Sequence, residues 1–245
     1  MKEKNAICFF GAVSKGDGGD YRFSIPNPNG PKSSFINFLK VADNNKKNII
    51  EENPTMDVFI HCWHSSLKSY MVDCYNPKSY LFESNSLYKD ELKSKCFTKS
   101  IDDAEVCNKI HEKQFNRNSF FLTISKSINL MLEYANQNNI IYDNVLVCRP
   151  DVVLKKKFKL NETTKPNTVI SNYNSGHAGD FFFLMDMESS KKFAAIYKSL
   201  DDLIEHDLYN MPKDFSIKMG LKFEMEEKIQ TPKDIELARN MIEYL

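Results

Sequence analysis

The sequence has no excess of charge of either sign and no long hydrophobic run. Lysine plus arginine number 33, and aspartate plus glutamate also number 33, among 245 residues. This balance excludes the global basic field that binds nucleic acid by counterion release, so we expect no nucleic-acid partner. No stretch approaches the roughly 18 apolar residues that identify a transmembrane helix, so we expect no transmembrane segment.

The chain also lacks any cysteine pair at the CxxC spacing of metal and redox motifs. Of its six cysteines, Cys8, Cys62 and Cys148 lie in apolar runs, where free thiols pack as small hydrophobic groups. The apolar part of the first ten residues is too short for a signal peptide. These features predict a reduced, cytoplasmic protein.

Strand-like and helix-like segments alternate along the chain. Apolar runs bounded by turn residues predict strands at residues 6–13, 57–63, 79–83, 145–148, 168–171, 181–185 and 221–223. Apolar spacing and capping signals predict helices from residue 33 or 34 to 43, at 115–138, 188–200 and 212–219, and from about 232. The glycine-rich segment 14–31 and the charged segment 87–107 are predicted to be loops. This order predicts an α/β fold, an open, mainly parallel sheet flanked by helices, in a single domain over residues 1–245.

Three predicted strands lead into residues that can carry chemistry. Gly11 lies where the first strand meets the glycine-rich loop, His61 lies near the end of the second, and Arg149 follows the strand at 145–148. The carboxyl ends of parallel strands meet at one edge of a sheet, where α/β proteins bind ligands. Every strand needs a polar end, so the coincidence of three such ends is what predicts a site.

Arg149 and Asp151, separated by Pro150, form the most informative cluster. A carboxylate such as Asp151 is a ligand for a divalent cation that bridges a diphosphate, and Arg149 suits phosphate oxygens or the orientation of that carboxylate. The alternative is an internal ion pair between Arg149 and Asp151. Because proline favours an extended backbone before it, we expect the two side chains to point apart.

Trp63 is the single tryptophan, and its ring suits stacking on a base or sugar, although core packing is the more ordinary role. His61 and His64 are three residues apart in a strand and the turn after it, which disfavours a shared metal. The segment 172–180 contains two glycines that allow close approach to a ligand. It also supplies His177 and Asp180 as a base and as a metal or hydroxyl partner, with a plain turn as the alternative.

These motifs resemble a known family. The run YDNVLVCRPDV from Tyr142 to Val152, preceded by residues 114–119 and followed by Gly179-Asp180-Phe181, resembles the small GT-A-type glycosyltransferases of bacterial capsule and lipopolysaccharide loci. Residues 6–11 and 57–63 are similar to the same group, so the resemblance covers most of the chain. It implies a GT-A-like (Rossmann-like) fold, a nucleotide-diphosphate sugar donor, and a saccharide or lipid-linked saccharide acceptor.

The resemblance also implies roles for single residues. Such families hold Mn²⁺ or Mg²⁺ against the donor diphosphate through an Asp-x-Asp-like element at a strand end, and Asp151 takes that metal-side role. Arg149 stands where a second carboxylate is expected, and an arginine can replace part of the cation's charge. The implied donor-side residues are Gly11, Lys15, Arg22, His61, Trp63, Arg149 and Asp151.

The leading hypothesis is a glycosyltransferase of the hexosyltransferase class in bacterial surface-polysaccharide assembly. It is expected to be cytoplasmic, with peripheral contact at the inner face of the cytoplasmic membrane left open. Inverting transfer needs a base near the acceptor hydroxyl, and Asp180 and His177 are the candidates. Two alternatives stay open. One is transfer of another activated group, such as a phosphoryl-type substituent, onto a capsule sugar, and the other is a non-catalytic protein that binds nucleotide sugar or glycan.

Overall fold

The computed structural model describes residues 3–12, 38–96, 104–160, 164–174, 177–203, 211–231 and 233–237. The strands are β1 (Asn5–Gly11), β2 (Met56–Cys62), β3 (Ser79–Phe82), β4 (Asn144–Cys148), β5 (Val152–Leu154), β6 (Thr168–Asn174), β7 (His177–Met185), β8 (Lys222–Gln230) and β9 (Ile235–Leu237). The α-helices are α1 (Phe38–Asn45), α2 (Lys68–Tyr75), α3 (Lys89–Ser94), α4 (Ala104–Asn138), α5 (Met187–Phe193) and α6 (Met211–Lys218). A π-helical turn, Lys46–Ile50, continues α1, and 3-10 turns lie at Ser65–Leu67, Asn85–Tyr88 and Leu200–Leu203.

Seven of these strands form one sheet in the order β3-β2-β1-β4-β7-β6-β8. Within this sheet β7 runs antiparallel to both of its neighbours, while the other described strands are parallel to one another. Strands β5 and β9 form a separate antiparallel pair. The predicted architecture, an open and mainly parallel sheet flanked by helices, is confirmed.

The sheet has an apolar layer on each face because side chains alternate along its strands. Ala6, Cys8 and Phe10 of β1 belong to one layer, together with buried residues of α3, α4, α5 and α6, and we call this the α4 layer. Ile7 and Phe9 belong to the other, with residues of α1, α2, β5 and β9, which we call the α1 layer.

Helix α4 packs into the α4 layer through Phe121, Ile124, Ile128, Met131 and Ala135, all of which are buried at three-four spacing. This spacing identified the helix, which begins eleven residues earlier than predicted, at Ala104 rather than 115. No helix in the described ranges is both long enough and apolar enough to cross a membrane.

The three cysteines predicted to pack as hydrophobic groups, Cys8, Cys62 and Cys148, are buried free thiols. Burial raises the pKa of the Cys8 and Cys148 thiols, because the thiolate would lose its hydration. These thiols are therefore structural groups of the sheet rather than nucleophiles.

The predicted secondary structure is wrong in three places. Residues 87–107 were expected to be a loop, but α3 and the first turn of α4 lie there. Helix α3 is short and Leu92 is its one buried residue, so it has no apolar periodicity to reveal it. The helix predicted at 188–200 ends at Phe193 and continues as turns. Residues 235–237, within the predicted last helix, form β9, where Ile235 and Leu237 are buried in alternation.

Asparagines after β1 hold the segment 150–160, in which Asp151 lies. The side chain of Asn44 pairs with Leu154 as a strand would, accepting from its N–H at 3.0 Å and donating to its carbonyl at 3.0 Å. Asn53 accepts from the Leu160 N–H at 2.8 Å and donates to the Phe158 carbonyl at 2.7 Å. These bonds satisfy backbone groups that no sheet partner reaches, so the segment has a fixed path.

Candidate functional site

The carboxyl ends of β1, β2 and β4 meet at one edge of the sheet, as predicted. Strand β7 begins at this edge because it runs antiparallel, and the Arg149 N–H extends the ladder by donating to the Phe181 carbonyl at 3.0 Å. On the other side of β1, the Trp63 N–H donates to the Gly11 carbonyl at 3.2 Å. The edge therefore brings together Gly11, Trp63, Arg149 and Asp180.

Arg149 and Asp151 form a bidentate ion pair at this edge. Arg149 Nε donates to Asp151 Oδ1 at 2.9 Å, and Nη2 donates to Oδ2 at 2.8 Å. The expectation that Pro150 aims the two side chains apart is wrong. The chain turns at Pro150, and the Val152 N–H reaches the Arg149 carbonyl at 3.4 Å, which puts both side chains on the same side of the turn.

Asp180 lies beside this pair because β7 bulges. Ser171 of β6 pairs with Phe183, but Tyr173, two residues further, pairs with Ala178, so several residues of β7 oppose Asn172 alone. The Asn172 side chain fills this space and accepts from the Phe181 N–H at 3.2 Å. A Cβ atom at Gly179 would overlap the Asn172 amide, so the bulge requires glycine there.

The Arg149 guanidinium thus lies between two carboxylates. Its Nη1 is 3.8 Å from Asp180 Oδ2, on the side away from Asp151. The Asp151 side chain is fully buried, whereas that of Asp180 is 28% exposed. Burial opposes the charge of Arg149, but the attraction of Asp151 and Asp180 outweighs it and raises the pKa of Arg149. Asp180 is the carboxylate of this cluster that a ligand can reach.

Asp151 does not fit the Mn²⁺ or Mg²⁺ site that the resemblance implies. Both of its oxygens already accept from Arg149, and a divalent cation about 4 Å from a guanidinium would be repelled by about 8 kcal/mol at an effective dielectric constant of about 20. Within the described ranges, no three or more His, Cys, Asp or Glu side chains are grouped to hold a metal ion. In this structure Asp151 is the ion-pair partner of Arg149, and its metal-side role stays a prediction.

His61 is fully buried, and both of its ring nitrogens are hydrogen-bonded. Nδ1 is 2.6 Å from Thr123 Oγ1 on α4, and Nε2 is 2.9 Å from Glu83 Oε1, directly after β3. Thr123 Oγ1 also accepts from the Gly11 N–H at 2.9 Å. Glu83 accepts further from Lys126 at 2.7 Å and from the Tyr88 hydroxyl at 2.9 Å. We call this set, from Gly11 to Glu83, the His61 chain.

The partners of His61 assign its tautomer. A carboxylate such as Glu83 only accepts, so Nε2 carries the proton and Nδ1 accepts from the Thr123 hydroxyl. Burial lowers the pKa of His61, even though the hydrogen bond and charge of Glu83 act in the opposite direction. Burial also opposes ionisation of Glu83, but hydrogen bonds from His61, Lys126 and Tyr88 outweigh it and lower the pKa of Glu83 to about 2. The His61–Glu83 hydrogen bond therefore joins a neutral imidazole, as donor, to an ionised carboxylate, as acceptor.

Trp63 is buried beside the His61 chain and packs edge-on against His61, with ring centroids 4.5 Å apart. Its ring lies 6.0 Å from that of Tyr88, whose own face carries Lys126 Nζ at 4.1 Å from the centroid. Trp63 is part of the α4 layer, and this is the core-packing alternative named for it.

Three predicted site residues are not placed together with this cluster. Lys15 and Arg22 lie outside the described residues. His177 is the first residue of β7, at the same edge, but its side chain lies outside the described part. Gly11 has φ +99°, a left-handed backbone that glycine adopts without strain, at the point where the chain leaves β1.

Sequence reasoning missed Glu83, Thr123 and Asn172. Glu83 is the last residue of a predicted strand, so the signal that selected Arg149 could have found it. Thr123 and Asn172 lie inside regular elements, where polar residues are common and no pattern distinguishes them. Their roles depend on tertiary contacts, of Thr123 with Gly11 and of Asn172 with Phe181 in the bulge.

No family model and no curated protein matches this sequence. A solved structure of a transferase mutant is 12% identical and covers 97% of this chain and 93% of its own, with a TM-score of 0.40. Mouse xyloside xylosyltransferase 1 in its apo form is 9% identical and covers 91% of this chain and 84% of its own, with a TM-score of 0.41. Likeness at this level assigns no reaction to the chain.

Proposed function

We propose that this chain is a nucleotide-sugar-dependent glycosyltransferase in which Arg149 faces the donor diphosphate and Asp180 is the catalytic carboxylate. The supporting observation is the guanidinium of Arg149 at the carboxyl edge of β4, with buried Asp151 on one side and accessible Asp180 on the other. This edge is where open α/β sheets bind their ligands. Glycosyl transfer with a catalytic base requires a positive charge beside the donor diphosphate and a carboxylate that the acceptor can reach.

The proposed reaction exchanges one bond for another at the anomeric carbon of the donor sugar. The acceptor hydroxyl oxygen forms a bond to that carbon, and the bond from the carbon to the diphosphate oxygen breaks, with its electron pair leaving on the diphosphate. The hydroxyl proton passes to the Asp180 carboxylate, or to His177 if that residue is the base. Positive charge beside the diphosphate stabilises the leaving group.

The other donor-side residues act around this centre. Gly11 precedes the segment that contains Lys15 and Arg22, which we propose contact the nucleotide. His61 and Trp63 are buried, so they support the end of β1 through Thr123 rather than touch the donor.

We further propose that the acceptor is a saccharide or lipid-linked saccharide of a bacterial surface polysaccharide, handled in the cytoplasm at the inner face of the membrane. Support comes from the resemblance of residues 142–152 and 179–181 to enzymes of capsule and lipopolysaccharide loci. A hexose donor follows from the same resemblance.

The test is a binding and turnover screen with UDP- and GDP-sugars, comparing wild type with Asp180→Asn. We expect a nucleotide sugar to raise the melting temperature of both proteins. We also expect donor hydrolysis or transfer to fall by about 10²- to 10⁴-fold in Asp180→Asn, the range typical of a lost general base. Asp73→Asn, an exposed residue near the end of α2, is the matched control and should keep full activity.

Four results would redirect the proposal. Absence of binding by every nucleotide sugar would remove the donor class. Binding without turnover by wild type would favour the non-catalytic alternative. A product whose mass increases by a phosphoryl-type group rather than a sugar residue would identify the second enzyme alternative. If His177→Gln loses turnover while Asp180→Asn keeps it, the base is His177.

A further inference from the structure

The charged cluster at the edge of β4 already contains a cation. Arg149 donates two hydrogen bonds to Asp151, at 2.9 and 2.8 Å, and its Nη1 faces Asp180 at 3.8 Å. A guanidinium between two carboxylates takes the position of an ion that would bridge two acidic ligands. Unlike a metal ion, it is covalently attached and stays charged at every relevant pH.

Arg149 still has donors to offer. A guanidinium has five N–H groups, and Asp151 accepts two of them through Nε and Nη2. The separation of 3.8 Å between Nη1 and Asp180 is too long for a hydrogen bond, so it is an ion pair only. Among the residues that the structure describes, none accepts a hydrogen bond from Nη1, so its hydrogens remain for an oxyanion. Planar N–H pairs suit phosphate oxygens.

Asp151 fixes the direction in which these donors point. Its side chain is fully buried, it is held in the turn after β4, and its two oxygens match the guanidinium edge. A buried bidentate pair restricts rotation of the arginine far more than a monodentate contact does. In this arrangement Asp151 needs no metal to have a role.

We propose that Arg149, and not a divalent cation, holds the donor diphosphate, and that Asp151 is a positioning residue for Arg149. This inference rests on the proposed function, because it names the cation at that same site. It predicts that nucleoside diphosphates bind equally well in EDTA and in Mn²⁺.

The first experiment uses wild-type protein and needs no variant. The dissociation constants of UDP, GDP, ADP and CDP are measured by calorimetry in EDTA, in MgCl₂ and in MnCl₂. We expect at least one to bind, with affinities in EDTA and metal that agree within about twofold, less than the contribution of one charged hydrogen bond. Binding only in the presence of metal would overturn the inference and leave the proposed function standing. Binding of none under any condition would overturn both.

The second experiment removes the ion pair without leaving a buried charge. Arg149→Gln alone would strand the Asp151 carboxylate, so Arg149→Gln with Asp151→Asn is the variant of choice, because it replaces both charged groups with neutral amides. We expect its melting temperature to stay near that of wild type and its diphosphate affinity to fall by about 10- to 100-fold. Asp73→Asn should bind as wild type does. Unchanged affinity in the double variant would overturn the inference.

Asp151→Asn alone tests the positioning role. The amide keeps one acceptor for Arg149 but loses the bidentate geometry, so the guanidinium is less constrained. We expect diphosphate to bind about 3- to 10-fold more weakly in EDTA, with no recovery on adding MnCl₂. A loss confined to measurements in MnCl₂ would identify Asp151 as a metal ligand and overturn the inference.

Discussion

Buried His61 links the end of β1 to the residue that follows β3. His61 accepts from Thr123, which in turn accepts from the Gly11 N–H, and His61 donates to Glu83. All donors in the His61 chain therefore point the same way, from Gly11 towards Glu83. Aligned hydrogen bonds polarise one another, which favours one geometry at Gly11.

From the burial of the His61 chain we expect the stability of the protein to depend on pH. Burial lowers the pKa of His61 from its ordinary value of 6.5, so below about pH 6.5 the unfolded chain binds a proton that the folded chain does not. The free energy of unfolding should therefore fall as pH decreases through this range, by up to about 1.4 kcal/mol per pH unit. His61→Gln should be less stable at pH 7 and show a shallower slope between pH 7 and 5. Urea unfolding followed by the fluorescence of Trp63 measures both.

Glu83 acts in a separate, more acidic range. Its pKa is about 2 in the folded protein against 4.5 ordinarily, so its contribution is lost as pH falls from about 4.5 to about 2. A His61→Gln profile that runs parallel to that of wild type between pH 7 and 5 would contradict the assignment of a neutral His61.

At the residue scale, the sequence predicted where the charged cluster lies but not how its members meet. Arg149 and Asp151 were found because they follow a strongly apolar strand, a signal that needs no tertiary information. Their ion pair depends on whether Pro150 extends or turns the chain, and proline is common in both conformations. The contact with Asp180 depends on a bulge in which the Asn172 side chain accepts from the Phe181 N–H. No local pattern near Asp151 indicates this bulge.

At the element scale, the bulge in β7 places Asp180. Gly179 and Asn172 are complementary, because the asparagine amide occupies the space that a side chain at Gly179 would need. Asn172 also donates to Thr231 Oγ1 at 3.0 Å, which ties the bulge to the chain after β8. A bulge beside a strand end re-aims a side chain, and here the re-aimed residue is Asp180.

A double-mutant cycle tests this complementarity. Gly179→Ala should lower the free energy of unfolding by about 1–3 kcal/mol, because the new methyl group overlaps the Asn172 amide. Asn172→Ala should also destabilise, since it leaves the buried Phe181 N–H without its acceptor. In the double variant the smaller side chain makes room for the methyl group. We expect the double loss to be less than the sum of the single losses by about 1–2 kcal/mol, measured by urea unfolding. Additive losses would show that the two residues do not interact.

Elements with a clear apolar pattern in their own sequence were predicted well. Elements that depend on contacts with distant parts of the chain were not. The strands β1, β2 and β4 and the body of α4 carry continuous or periodic apolar residues, so their sequence identifies them. In contrast, β9 is three residues long and exists because it pairs with β5. The path of residues 150–160 depends on Asn44 and Asn53, more than a hundred residues earlier.

At the scale of the whole molecule, one sheet separates the α4 layer from the α1 layer. Each central strand contributes to both, as Ile7 and Cys8 of β1 do on successive positions. A cavity in either layer therefore weakens the packing of a strand that the other layer also uses. This sharing predicts that the chain is a single domain, because both layers pack on the same seven-stranded sheet.

Matched isoleucine truncations test the single-domain prediction. Ile7→Ala in the α1 layer and Ile128→Ala in the α4 layer remove fully buried side chains, and each should lower the free energy of unfolding by about 2–5 kcal/mol. Ile141→Ala is the control, because this isoleucine is 78% exposed and its loss should change stability by less than about 0.5 kcal/mol. In each protein, Trp63 fluorescence and far-ultraviolet circular dichroism should report the same midpoint, since a shared sheet unfolds as one unit. Two separate transitions, one moved by Ile7→Ala and the other by Ile128→Ala, would instead indicate two domains.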